Sequence, residues 1–265
     1  MTAFGAKSAG FAPSSAVLLA LVRRAMLRLV RIPSVLVPVV VMPAFFVIAF
    51  TGSFDGISRV EGYPTDDLIN WVAAFALLQS CSFAGIGAAA AMSVDIENHF
   101  IDRLLVSPIR RSLMIVAPLG QAALRSLIPS TVVLLIARTQ GASMPGGLAG
   151  IALAYAGGVS IAVVLGCLAL GFVSLVRTIR AMAIVQIIAF LFMFPSTGQV
   201  PIDLMDGWLA TVAQINPITP VLAMTRQGFL GEVTWSETWP GALVVVVGLV
   251  VFGAFALTQL RRLER

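Results

Sequence analysis

The sequence predicts an all-α polytopic membrane protein with six transmembrane helices, and three observations predict it. Hydrophobic residues fill 59% of the 265 positions and charged residues only 11%; with a mean hydropathy of +1.00, this is more apolar surface than a soluble core hides. Several apolar runs approach twenty residues, roughly what a helix needs to cross a hydrocarbon core of about 30 Å. The runs lack period-two alternation, so helices rather than barrel strands satisfy the backbone in lipid.

An interfacial helix is expected first, over residues 16–31. Its apolar run AVLLALV is followed at once by Arg23 and Arg24 instead of a small-residue cleavage site, which argues against a cleaved signal. On a helical wheel Arg23, Arg24, Arg28 and Arg31 share one face and Leu18, Val22, Ala25, Met26 and Leu29 the other, the pattern of a helix lying in the headgroup plane.

Spans follow at about 34–51, 68–93, 113–136, 147–173, 182–200 and 239–258. Prolines 33, 38 and 43 enter and interrupt the first, and bend it unless neighbours resatisfy the freed carbonyls. The second carries Ser80, Ala84, Gly87 and Ala91 and the fourth Gly157, Gly158, Gly166 and Gly171, small residues that let helix backbones approach closely in lipid. Cys81 and Cys167 lie inside spans and read as small packing residues. Arg125 is the ionisable residue deep in a span, with Gln121 one turn before it on the same face; Gln79 and Gln186 add polar atoms to spans two and five. Such groups line a path for an amphiphilic or anionic substrate, or form an interhelical hydrogen-bond cluster; Arg125 snorkels instead if the third span begins only after Pro118.

Two connections stand out. Residues 97–111, ENHFIDRLLVSPIRR, gather three arginines, two acids and the single histidine. Residues 201–237 are too polar to span and too apolar for a free loop; they suit two short re-entrant helices, near Leu204–Ile215 and Thr219–Phe229, split by Asn216 and Pro217. Trp208 suits an interfacial aromatic belt, and the whole region suits a cap over a pathway from outside.

Basic residues fix the expected orientation. Lys7, Arg23, Arg24, Arg28, Arg31, Arg103, Arg110, Arg111, Arg177, Arg180, Arg261, Arg262 and Arg265 fall on one side of this layout, while Arg59, Arg138 and Arg226 fall on the other among Asp55, Glu61, Asp66, Asp67, Asp203, Asp206, Glu232 and Glu237. Both termini and the 97–111 connection are then cytoplasmic. The net charge of +5 reports topology rather than nucleic-acid binding. A phosphate-binding loop is absent, since the one lysine sits in GAKSAG without the first glycine; His99 is alone, the cysteines are far apart, and no G-x-S-x-G occurs. The chain is therefore expected to be neither motor nor enzyme, and to hold no metal or other cofactor.

Residues 97–108 resemble the cytoplasmic loop of type-2 ABC exporter permeases, the daunorubicin-resistance-like group, whose pattern runs roughly E-x-G-T-x-E-R-L-L-V-[ST]-P. Glu97, Asp102, Arg103, Leu104, Leu105, Val106, Ser107 and Pro108 match, while His99 and Phe100 stand where the family has Gly and Thr. A second stretch is similar to the family's G-W-L-x-x-x-x-x-x-N-P-[LI]-T-x-x-x-x-x-x-R, through Gly207, Trp208, Leu209, Asn216, Pro217, Ile218, Thr219 and Arg226. The resemblance implies a permease subunit that pairs with a second, identical or related, permease and with two separate ATPase subunits that bind ATP and Mg. The interfacial helix and the 97–111 coupling loop would rest on those ATPases. Phe100, Ile101, Leu104 and Leu105 form an apolar docking stripe there, with Asp95, Glu97 and Asp102 early and Arg110 and Arg111 late, as a helix dipole favours.

The expected function is export of a hydrophobic or amphiphilic substrate, such as a drug, lipid or glycolipid, across a bacterial cytoplasmic membrane. One lysine against sixteen arginines hints at a GC-rich bacterial genome. The alternative is a secondary transporter or channel without an ATPase, which needs titratable or ion-coordinating groups near the midplane.

Overall fold

The computed structural model describes residues 19–24, 26–27, 33–99, 113–231 and 233–262, which are helical or turn-forming with no strand among them. Arg28, Arg31 and the coupling stretch from Phe100 to Arg111 lie outside the described residues.

Among the described residues, eight α-helices carry the fold after the short N-terminal helical stretch at 19–24 and 26–27. They are α1 (Pro33–Phe54), α2 (Leu68–Glu97), α3 (Leu113–Thr139), α4 (Gly147–Val176), α5 (Ala181–Met193), α6 (Gly207–Ile215), α7 (Ile218–Leu230) and α8 (Trp235–Arg262). By length and composition α2, α3, α4 and α8 suffice to cross a membrane. The other two expected spans correspond to the 22-residue α1 and to the thirteen-residue α5. The molecule is thus an all-helical, polytopic membrane protein.

The prolines behave differently by position. Pro33 opens α1, where its missing N–H has no helical partner to lose, and Pro38 and Pro43 stay inside that helix. Pro118 and Pro129 likewise remain within α3, which starts at Leu113. Arg125 is therefore at least twelve residues, about 18 Å, into a continuous helix that runs through Pro118.

Helix α2 is the axis. Every residue from Leu68 to Ser82 is buried, and the helix packs against α1, α3, α4, α5 and α7. Small side chains make this possible, because helix association in lipid depends on close packing rather than on a hydrophobic drive. A Cβ built on Gly85 would overlap the Ala162 carbonyl of α4. Gly158 of α4 faces Leu77, Cys81 and Ser130, and the Cys81 thiol lies 3.2 Å from the Ser130 hydroxyl. At the far end of α4, Gly150 and Gly228 of α7 meet backbone to backbone, and the Gly146 N–H donates to the Gly228 carbonyl at 3.3 Å.

Aromatic rings fill the other side of α2. Phe46, Phe50 and Phe54 stack along α1, and Phe50 meets Phe75 edge-on at 6.2 Å. Phe75 and Phe83 in turn meet Phe194 and Phe190, at 5.8 and 5.9 Å. These last two pairs run α5 antiparallel to α2.

The expected fifth span, 182–200, is a helix only to Met193, and residues 194–200 form turns. Pro195 explains the stop, since it has no N–H to extend the helix and clashes with the preceding turn. Helices α6 and α7 then form a hairpin. Thr225 and Gly228 of α7 pass Gly157 and Gly150 of α4, while Pro217 and Ile218 at the tip share a cavity with Ile161, Val164 and Leu165 from the middle of α4. The hairpin therefore starts from the end of the bundle that carries Asp66, Asp67, Asp203 and Asp206, the acidic end, and turns back partway along its side, with Ile215 exposed at the tip. Arg23, Arg24, Arg177, Arg180, Arg261 and Arg262 mark the opposite, basic end.

Candidate functional site

Candidate residues fall at three levels of the bundle. At the basic end, Arg24 donates a two-pronged hydrogen bond to Asp95, at 3.0 and 3.3 Å, and so fastens the N-terminal helical stretch to the last turn of α2. Val22 of the same stretch lies against α3 at Gly120. Arg23 is exposed. Two residues beyond Asp95, Glu97 accepts the Ile179 N–H at 3.2 Å, which ties the end of α2 to the turn between α4 and α5. Of the ten proposed coupling residues, Glu97 alone is among the described ones. The others, Phe100, Ile101, Asp102, Arg103, Leu104, Leu105, Ser107, Pro108 and Arg110, lie outside the described residues.

His99 follows the C-cap of α2 with φ of 54°, and its N–H bonds to the Ile96 carbonyl at 2.9 Å. A left-handed residue at a helix end is most often glycine, which has no Cβ to strain there. Position 99 is where the family pattern has glycine, so the backbone keeps a glycine-like turn with histidine in it. We expect His99→Gly to be more stable than His99→Val by about 1–2 kcal/mol. Thermal unfolding of the two variants in detergent measures the difference, and equal midpoints would refute the strained turn.

Inside the bundle, Gln79, Gln121 and Arg125 are buried, and Gln186 is partly so. None of the four makes a hydrogen bond among the described residues; both amide atoms of Gln79, Nε of Arg125 and Nε2 of Gln186 are buried and unpaired. The Arg125 guanidinium instead lies over Gly87, whose added Cβ would sit 2.7 Å from Nη1. A separate apolar cavity of about 370 Å³ opens between α4, α5, α7 and α8, with Leu168, Phe192 and Phe252 in its walls.

At the acidic end the hairpin closes the broken span. A helix leaves its last carbonyls without partners, and in an apolar layer each costs several kcal/mol unless something bonds it. Asn216 at the hairpin tip donates through Nδ2 to the Phe192 and Pro195 carbonyls, at 2.7 and 2.8 Å. Its Oδ1 accepts the Ile218 N–H at 2.9 Å and so caps α7, which begins after Pro217. Ser196 bonds the Met193 carbonyl. Arg226 completes the set: Nη2 donates to the Thr197 carbonyl at 2.7 Å, Nε donates to the Trp71 carbonyl at 3.1 Å, and the guanidinium lies 3.6 Å from the Trp71 ring centroid.

Arg226 reads from the charge distribution as an outer flank residue, yet it is 3% exposed. Its partners Trp71 and Thr197, and the neighbouring Gln227, which bonds the Thr234 N–H at 2.7 Å and Thr238 at 3.0 Å, carry no signal in the local sequence. Tyr63 packs on Trp71 at 5.9 Å, and burial pushes its phenol up to about 12 against the opposing pull of Arg226. Trp208, Trp235 and Trp239 are exposed at the starts of α6 and α8.

Comparison with known proteins places these features in a family. Residues 16–230 match the family model described as ABC-2 type transporter. Over 258 residues the chain is 22% identical to a putative transport permease, ycf38, of Pyropia yezoensis, which covers 91% of this chain and 87% of the relative. A probable multidrug ABC transporter permease, YbhR, of Escherichia coli K12 is 25% identical over 204 residues, covering 71% of this chain and 52% of the relative.

Proposed function

Because this chain belongs to the ABC-2 type transporter family and is an ABC transporter membrane subunit, we propose that it is the permease of an ATP-driven exporter, acting on a hydrophobic or amphiphilic substrate such as a drug, lipid or glycolipid. It crosses a bacterial cytoplasmic membrane six times with the basic end in the cytoplasm, as the distribution of arginines supports. Trp208, Trp235 and Trp239 suit the outer headgroup layer. Two copies, or this chain and a related one, enclose the route, and two separate ATPase subunits supply the hydrolysis with ATP and Mg. Gln79, Gln121, Arg125 and Gln186 line the pathway.

One observation carries this reading: the two-pronged Arg24–Asp95 pair. It joins the amphipathic N-terminal helix to α2 two residues before the 97–111 coupling loop begins. Both surfaces that would rest on an ATPase are thereby fastened to one helix, and that helix is the axis of the bundle. Glu97 carries the same displacement to the α4–α5 turn through Ile179. A push at the basic end reaches three spans at once.

Purifying the tagged chain from its own membrane should recover an ATP-binding subunit with it. Leu104→Glu should abolish that recovery while the chain still inserts. Arg24→Asp should lower transport-coupled ATP hydrolysis, and adding Asp95→Arg should restore much of it. Normal transport by Leu104→Glu, or purification without any ATP-binding partner, would sink the proposal.

A further inference from the structure

The guanidinium of Arg125 lies in the span without a counter-charge among the described residues. It is 7% exposed, and it forms neither an ion pair nor a hydrogen bond there. Asp95, the carboxylate nearest to Gly87 along α2, is already held by Arg24. Two amides accompany the cation. Gln121 is one turn before Arg125 on the same face of α3, 6% exposed. Gln186 stands one turn from Phe190, and the pairing of Phe83 with Phe190 brings it level with Gly87, where the guanidinium rests. Its buried Nε2 has no partner.

A cation kept inside a span faces the bundle interior or a polar cavity and is matched there by opposite charge. Arginine's planar fork is shaped for the paired oxygens of a phosphate or carboxylate, and amide N–H groups add donors to the same oxygens. The surroundings select the source of that anion. Arg125 is buried in an apolar span, turned away from the exposed stripe of α3 that carries Leu124 and Leu127, so a free anion would have to shed its water to reach the guanidinium, whereas a headgroup enters that apolar layer with its own acyl chain. The depth agrees: Gly87 is ten residues, about 15 Å of helix, from the basic end of α2, within the basic-end half of the helix.

We infer that Arg125, with Gln121 and Gln186, binds the phosphate or carboxylate headgroup of a membrane amphiphile taken from the basic-end leaflet. The inference rests on the reading of these residues as pathway lining and names the chemistry that the pathway admits first. Gly87 is part of the site, since its missing side chain is what lets the guanidinium lie against α2.

The test uses the full chain with the subunits that copurify, in neutral detergent, loaded with equal phosphatidylglycerol and phosphatidylcholine and read by native mass spectrometry. Wild type should retain phosphatidylglycerol roughly tenfold over phosphatidylcholine, the scale of a charged hydrogen bond. Arg125→Gln should bring the ratio close to one and Arg125→Lys should keep part of the preference. Gly87→Ala, which retains the arginine but displaces its head, should also lose most of it, guarding against a folding defect in the first variant. Decyl phosphate should displace the lipid and inorganic phosphate should not. Equal retention by wild type, an unchanged ratio in Arg125→Gln, or displacement by inorganic phosphate alone would overturn the assignment. Substrate-stimulated ATP hydrolysis separates the two readings. If Arg125→Gln alters it without altering lipid preference, the headgroup site falls and the pathway stands; if neither changes, both fall.

Discussion

Arg226→Leu is expected to lower stability by about 4–8 kcal/mol, the sum of two hydrogen bonds from a charged donor and a desolvated cation–π contact. The leucine fills much of the space but leaves the Thr197 carbonyl unpaired in a buried site, while the Trp71 carbonyl loses its second donor and keeps its bond within α2. Lysine at this position keeps the charge and reaches one carbonyl, so Arg226→Lys should recover only part of the loss. Thermal unfolding in detergent, followed by size-exclusion chromatography, measures both. If Arg226→Leu unfolds within about 0.5 kcal/mol of wild type, the usual range for a surface substitution, the latch contributes nothing and the acidic-end turns must be held by other contacts. Transport assays are a poor substitute here, because loss of the cap and loss of the pathway would look alike.

The second large effect is expected at Gly85. Its absent side chain is the point where α2 and α4 touch, and a methyl group there meets the Ala162 carbonyl oxygen, an atom of backbone that cannot rotate away. Gly85→Ala should therefore force the two helices apart at the centre of the bundle, at a cost of roughly 1–3 kcal/mol or more. Gly85→Leu should leave little monodisperse protein. Gly253 is the internal control: it lies in α8 with nothing within 4 Å of an added Cβ. Gly253→Ala should be neutral or stabilising, by up to about 1 kcal/mol from helix propensity. Equal behaviour of the two alanine variants would show that close approach, and not chain flexibility, had been misjudged.

Length and apolarity made α2, α3, α4 and α8 legible in the sequence, because a membrane demands one simple property of a span. The break at Asn216 and Pro217 was legible too, since proline and a turn-forming neighbour punctuate any chain. Where α5 stops was not. Pro118 and Pro129 lie inside α3, whereas Pro195 stands just beyond α5, and proline alone does not say which will happen. What differs is whether distant groups wait to receive the freed carbonyls. Asn216 and Arg226 do so from 21 to 29 residues further along the chain, a separation that no periodicity encodes. Arg226 stood out as a motif residue, but its burial and its role were illegible for the same reason: charge counting assigns arginines to loops, and its partners are backbone oxygens with no residue signature. Arg125 was legible as an oddity, but its seat on Gly87 appears only once α2 and α3 are brought together.

The phenylalanine contacts around α2 have a mechanical consequence. Edge-on ring pairs keep most of their attraction over centroid separations of about 4.5–7 Å, so α1 and α5, which meet α2 through Phe50, Phe190 and Phe194, ride on a bearing. The glycine contacts that join α2 to α4, and α4 to α7, allow no such slip, and those three helices form a keel. Near its acidic end α5 is pinned by Asn216 through the Phe192 and Pro195 carbonyls. Its basic end is held to α2 through the Glu97–Ile179 hydrogen bond, so a displacement of the last turn of α2 is delivered to α5 at the end opposite its pin.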